Sequence, residues 1–179
     1  MPGGGKSTVG RQLARRLDWG FVDADAVIEE RLGECIRAFF EREGEEAFRL
    51  LEERVIDELT RDPQTRVIAT GGGACLRDAN RRALHERCTV VYLRSTPEEL
   101  FRRLRHDTQR PLLQVGDPLS RLRELFAVRD PLYRECAHFI VETGRPSVST
   151  LVNMVLMQLE LAGVVPAHLA HSPVEPPRR

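Results

Sequence analysis

Neither sign of charge prevails in this chain: 27 Lys and Arg face 27 Asp and Glu, a formal net charge of +0 with a sequence pI near 7.0. Such a balance creates no global field to draw a polyanion, so neither nucleic acid nor an anionic membrane surface is an expected partner. Cysteine is scarce, and Cys35, Cys75, Cys88 and Cys136 never fall into Cys-x-x-Cys spacing. The scatter argues against a disulfide framework and a thiolate zinc site, and for reduced, buried or half-buried thiols in a cytoplasmic compartment. Long hydrophobic runs are lacking too. The apolar stretch 151–165 is broken by Asn153, Gln158 and Glu160, which makes it too polar to span a bilayer. No signal-peptide pattern is visible, and the expectation is a soluble, cytoplasmic protein.

What is present fits one α/β domain: 179 residues with 41% hydrophobic content can bury a sizeable core. The chain opens on Gly3, Gly4, Gly5, Lys6, Ser7 and Thr8, the latter part of the phosphate-binding pattern G-x-x-x-x-G-K-[ST]. Glycines are needed there because successive backbone N–H groups must turn inward around phosphate oxygens with no Cβ in the way. Lys6 then reaches the β and γ phosphates, Ser7 holds Mg²⁺ through its hydroxyl, and the helix N-terminus adds its dipole. The leading glycine of the pattern and the strand that launches the loop are absent from the sequence. The expectation is that the natural chain starts earlier. A buried strand of ~5 residues contributes an amount comparable with a domain's whole ~5–15 kcal/mol, so the sequence as it stands is not expected to fold stably alone.

Along the rest of the chain helices and strands alternate, the signature of a parallel sheet covered on both faces. The periodicity predicts a helix over 7–17, a short strand at Phe21 and Val22 ending in Asp23 and Asp25, and a helical region over 26–60 interrupted near Gly33 and Gly44. A strand at 67–69 runs into Gly71, Gly72 and Gly73, then come a helix over 78–86, a strand over 89–93 and a helix over 96–105 capped by Thr96 and Pro97. Periodicity fails over 106–118, a candidate lid. A helix over 119–136, a strand over 139–141 and a helix over 148–161 follow. The tail 164–179, with Pro166, Pro173, Pro176 and Pro177, is expected to be disordered. His168 and His171 have no companion ligands there and are not read as a metal pair. A carboxylate at the C-terminal end of a strand beside a phosphate loop, such as Asp23 or Asp25, is where an α/β sheet places ligand groups, though either could also be an ordinary helix cap.

Several segments in order resemble the shikimate kinases: Gly-Lys-Ser-Thr at 5–8, Asp23-Ala24-Asp25, Gly44 with Phe48-Arg49, and Thr70-Gly71-Gly72-Gly73. Arg110-Pro111-Leu112-Leu113 and Arg129-Asp130-Pro131-Leu132-Tyr133 continue the series. The likeness runs from residue 1 to about 163 and implies a P-loop, NMP-kinase-like fold: α/β, a parallel sheet with helices on both faces, and a lid at about 106–118. It also implies phosphoryl transfer from ATP, with Mg²⁺, to the 3-hydroxyl of shikimate by a monomer. By the same resemblance Asp25 orients and deprotonates the acceptor hydroxyl, while Asp23 stands near Mg²⁺ through water. Arg49 and Arg129 bind the acceptor carboxylate, for which a planar guanidinium offers two parallel hydrogen bonds. Gly71, Gly72 and Gly73 let the backbone approach the acceptor ring. Arg110 swings over the phosphates, and Arg103, Arg145 and Pro146 flank the adenine.

Two departures are visible. The family's Arg-x-Asn-Pro pattern does not appear at the adenine positions, and Leu50-Leu51 follow Arg49 where many relatives carry a polar residue, although Glu52 remains to orient that arginine. A gluconate-kinase-like enzyme and a non-catalytic ligand sensor are the rival readings. The arginine pair separates the first from a shikimate kinase, and the joint presence of Lys6, Asp25 and Arg110 speaks against the second. Replacing Arg110 by Ala is expected to depress kcat far more than substrate affinity in steady-state kinetics. A loss confined to KM would remove Arg110 from the transition state.

Overall fold

Apolar spacing at four-residue intervals makes the first helix: α1 (Lys6–Leu17) buries Val9, Leu13, Ala14 and Leu17, and ends where Asp18 turns into the left-handed region at φ 54°. The structure is a computed structural model that describes residues 4–104, 117–144 and 146–170. A short β1 (Gly20–Asp23) leads into α2 (Ala24–Leu32), whose N-terminus is capped by the Asp23 carboxylate accepting from the Asp25 N–H. Helix α3 (Ile36–Arg61) is kinked at Gly44, where φ 85° and ψ 174° interrupt the helical path at the second break expected from sequence. β2 (Arg66–Ala69) delivers the glycine run to a 3₁₀ turn (Ala74–Leu76), followed by α4 (Asp78–Arg87), β3 (Val91–Arg94) and α5 (Pro97–Leu104). Asp117 caps α6 (Pro118–Cys136) by accepting from the Ser120 N–H, with Pro118 in the first turn where its missing donor costs nothing. β4 (Phe139–Glu142), α7 (Val148–Leu161) and a four-residue α8 (Ala167–Ala170) complete the described chain.

Every strand pairing among the described residues is parallel: β1 with β2, Phe21 opposite Val67, and β3 with β4, Tyr92 opposite Ile140. The apolar side chains separate into two clusters, as coverage of a sheet on both faces requires. Ile28, Phe48, Val55, Ile56, Leu100 and Leu122 belong to one, and Val9, Leu13, Leu17, Val141 and the Leu151–Leu159 stripe of α7 to the other.

The expected single sheet is divided into these two pairs. Between β2 and β3 lies a cavity of about 830 Å³ whose lining includes Leu13, Val67, Ala69, Val91, Tyr92 and Val155. Among the described residues neither β2 nor β3 has a strand on the edge it turns toward that space. Protein interiors tolerate few voids larger than a water molecule, and open strand edges leave backbone donors and acceptors without ladder partners.

Two expectations need correction. Residues 164–170 do not behave as a tail: Val165 is only 3% exposed and packs into the α7 cluster, and 167–170 are helical. The sequence contains Val164-Val165 directly after α7, enough apolar surface to fold back. Cys35 is exposed, whereas Cys75 and Cys136 are buried and Cys88 half-buried. Residues 106–116 of the candidate lid, and 171–179, lie outside the described residues. No described helix is long and apolar enough to cross a membrane.

A strand of about five apolar residues closed by glycine and fused ahead of Met1 is expected to fill the cavity. At ~1.5–3 kcal/mol per buried side chain and ~2–4 °C per kcal/mol, thermal unfolding should shift upward by roughly 10 °C or more. An unchanged midpoint in a calorimetric scan would show that the cavity does not accept a strand.

Candidate active site

The N-terminus of α1 and the C-terminal ends of β1 and β2 converge on one region. Gly5 caps α1 at φ 75°, a left-handed conformation that a side chain resists, and its carbonyl accepts from the Val9 N–H at 2.9 Å. Directly after it, Ser7 Oγ donates to Asp23 Oδ2 at 2.7 Å, while Asp23 Oδ1 accepts from the Asp25 N–H at 3.0 Å. One carboxylate thus joins the phosphate loop to the end of β1 and starts α2. Ser7 and Asp23 offer two hard oxygen donors side by side, the donor type that suits Mg²⁺. Among the described residues no group of three or more His, Cys, Asp or Glu is arranged to hold a metal ion by itself.

Asp25 is half-buried, and its pKa is pushed up to about 6. Burial is the main cause, the neighbouring carboxylates of Asp23 and Glu52 add to it, and the Lys6 ammonium pulls the other way. A carboxylate so placed is a stronger proton acceptor than an exposed one and is still largely ionised at neutral pH.

Facing Asp25 is the glycine run. A Cβ on Gly71 would lie 2.7 Å from Asp25 Oδ1 and 3.2 Å from Glu52 Oε1, and one on Gly73 would overlap the Arg49 guanidinium. Neither position admits a side chain while those groups stay where they are. Arg49 is itself held: Nη1 donates to Glu52 Oε2 at 2.6 Å, Nε reaches Glu45 Oε1 at 3.4 Å, and the guanidinium carbon stands 5.1 Å from the centre of the Phe48 ring. Glu52 is 1% exposed and Arg49 9%. Burial pushes the Glu52 carboxyl above its ordinary pKa, with the Arg49 and Arg129 charges opposing. Arg129, on α6, places its positive charge where it acts on both Glu52 and the Tyr133 phenol. The charges of both arginines named from sequence therefore act on the same acidic side chain.

Of the residues expected at the adenine, Arg103 sits at the end of β4, donating to Thr143 O at 2.8 Å, Gly144 O at 3.1 Å and Ser95 Oγ at 3.2 Å. Its guanidinium thereby ties α5 to the backbone just after β4. Gly3, Arg110 and Arg145 lie outside the described residues. The large cavity touches this region through Lys6, Thr70, Gly71, Gly72 and Tyr133. Asp25, Arg49 and Arg129 do not line it, so the chemistry belongs to the cleft at the strand ends.

Two side chains that sequence reasoning left without a role complete the arrangement. Asp130, 8% exposed, accepts from Tyr92 Oη at 2.9 Å, Arg94 Nε at 3.0 Å and Arg134 Nε at 2.8 Å, fixing α6 against β3. Tyr133 donates its phenol proton to the carbonyl of Gly72. The i, i+4 spacing of Arg129 and Tyr133 places them on one face of α6. Their partners come from distant parts of the chain and leave no local signal.

A family model described as shikimate kinase matches residues 2–160. The chain is 61% identical to the shikimate kinase of Paracidovorax citrulli over 168 residues, covering 93% of this chain and 92% of that protein. With the shikimate kinase of Ralstonia nicotianae it shares 57% identity over 173 residues, 97% of this chain and 90% of the relative. Among solved structures, shikimate kinase from Acinetobacter baumannii in complex with shikimate superposes with a TM-score of 0.82 at 45% identity, covering 90% of this chain and 89% of that one. The enzyme from Bacteroides thetaiotaomicron gives 0.80 at 32% identity, over 89% and 94% of the two chains.

Because its pKa rises on folding, Asp25 binds a proton more tightly in the native state than in the unfolded chain. Its ionisation therefore erodes stability as pH increases from about 4 to about 6. Asp25→Asn is expected to be more stable than the parent by roughly 1–3 kcal/mol above pH 6 and to lose that advantage toward pH 4. Denaturant unfolding at the two pH values checks this; an advantage independent of pH would mean that Asp25 is not the titrating group.

Proposed function

The chain belongs to the shikimate kinase family, and on that premise we propose that it transfers the γ-phosphoryl group of ATP to the 3-hydroxyl of shikimate, releasing ADP and shikimate 3-phosphate. The observation that carries this reading is the convergence of a carboxylate of raised pKa, Asp25, with the Arg49–Glu52 pair and Arg129 across the glycine run from the phosphate loop.

The division of labour follows from charge. The Gly4–Thr8 loop and the α1 N-terminus offer backbone donors to phosphate oxygens, and Lys6 adds a cation. Ser7 and Asp23 would hold Mg²⁺, which when bound neutralises charge on the triphosphate. Arg49 and Arg129 take the acceptor's carboxylate, which orients its ring over Gly71–Gly73. Asp25 accepts a hydrogen bond from the attacking hydroxyl and takes its proton as the new P–O bond forms and the bond to ADP breaks. Phosphoryl transfer asks little covalent chemistry of the protein. Positioning and electrostatic complementarity supply most of the rate. The reading extends to a cytoplasmic monomer, for which the free thiols of Cys35, Cys75, Cys88 and Cys136 suit a reducing compartment.

ADP release coupled to a spectrophotometric readout, with shikimate and ATP varied in turn, tests the assignment. Arg49→Lys keeps a positive charge but loses the fork. It should raise KM for shikimate by roughly 10–100-fold, the worth of a charge-assisted hydrogen bond, with KM for ATP nearly unchanged. An unaltered shikimate KM would put the acceptor carboxylate elsewhere.

A further inference from the structure

The glycine run is the least constrained part of the site by composition, yet it must present backbone donors at fixed angles. A Gly-Gly-Gly loop has the largest conformational freedom a chain can have. Some contact has to remove it. Within the loop, Ala74 N–H donates to Gly71 O at 3.2 Å and Leu76 N–H to Gly73 O at 3.0 Å. Neither bond sets the plane of the Gly72–Gly73 peptide. That plane is set by Tyr133, whose phenol donates to the Gly72 carbonyl.

The described peptides are all trans, so fixing the Gly72 C=O toward Tyr133 turns the Gly73 N–H to the opposite side. No described residue accepts from that N–H. The same residue lies against the Arg49 guanidinium, close enough that no Cβ fits between them. Tyr133 is one helical turn beyond Arg129 on the same face of α6, and the Arg129 charge acts on its phenol. Its ring is fixed in turn by Tyr92, with centroids 4.9 Å apart.

We propose, building on the functional reading above, that Tyr133 is a positioning residue for the acceptor. Its phenol holds the Gly72–Gly73 peptide so that the Gly73 N–H joins Arg49 and Arg129 as a donor to the acceptor's carboxylate, and it keeps Arg129 in step with that loop. The phenol is suited to a constant donor role: burial holds its pKa up to about 12 against the pull of Arg129, so it stays protonated across the neutral range.

Tyr133→Phe removes the hydroxyl and leaves the ring packed at a tilt against Tyr92. It should raise KM for shikimate about tenfold, the net worth of one hydrogen bond, while KM for ATP changes by less than about twofold. Tyr92→Phe serves as the contrast. It removes the bond to Asp130 and is expected to lower the melting temperature, with a smaller rise in shikimate KM than Tyr133→Phe gives. Equal effects on both substrates in Tyr133→Phe, no effect on either, or a variant unfolded at the assay temperature would each overturn the inference, the last because the phenol would then be structural. A parent enzyme inert toward shikimate but active on another alcohol would remove the functional reading and this inference together. A parent active on shikimate with unaltered Tyr133→Phe kinetics would remove the inference alone.

Discussion

A buried ion pair, Arg49 with Glu52, is the constraint on which the rest of the acceptor side depends. Taking two charges out of water costs more than their mutual attraction reliably returns, so such a pair is weak evidence for stability and better understood as a device that fixes geometry. Here its consequences can be followed outward. The guanidinium occupies the space above Gly73, and the carboxylate stands over Gly71 together with the still nearer Asp25. Those two positions are thereby closed to any residue with a side chain. The same Glu52 charge raises the Asp25 pKa and attracts Arg129. One helix, α3, thus closes the space over Gly73, joins Asp25 in crowding Gly71, and adds its charge to the burial and the Asp23 carboxylate that raise the Asp25 pKa.

The donor side has a comparable pivot in Asp23, whose two oxygens serve two purposes: one caps α2 and the other binds Ser7. Capping alone would be satisfied by Ser, Thr or Asn. A carboxylate adds negative charge beside the phosphate loop, which would repel a triphosphate unless a cation intervened. Lys6 supplies one such charge, and the Ser7–Asp23 pair of oxygens suits another. The cost appears at Asp25, where Asp23 is the second contributor to the raised pKa, after burial. The metal-side carboxylate could therefore not be altered without moving the protonation of Asp25.

Helices were legible wherever an apolar stripe recurred at helical spacing, as in α1 and α7, and strand positions wherever a short β-branched run met glycine or aspartate, as at β1 and β2. Lys6, Ser7, Asp23 and the glycine run could be read because phosphate chemistry restricts residue type at fixed spacing. Arg49 and Arg129 were visible only through resemblance, since an arginine on a helix is ordinarily a solvated charge. Asp130 and Tyr133 stayed silent because their significance lies in bonds to Tyr92, Arg94 and Gly72, far away in sequence. Val165 was misjudged for a related reason. Two valines in a proline-bearing stretch look too few to pack, but next to α7 they need only extend a core already formed.

The two strand pairs raise a question about how a site can be accurate across a divided sheet. The phosphate loop, Asp25 and the glycine run all belong to the β1–β2 half, while Arg129 and Tyr133 ride on α6, which Asp130 fastens to β3. With no ladder hydrogen bond joining β2 to β3 among the described residues, the halves are registered by side chains. Tyr133 to Gly72 and Arg81 on α4, bonded to Glu135 on α6 at 3.1 Å, are two such ties. Side-chain ties are softer than a strand ladder, because each holds one point where a ladder aligns a whole segment. The distance between the two arginines is therefore sensitive to whatever occupies the space between β2 and β3, and acceptor affinity should respond to filling that space.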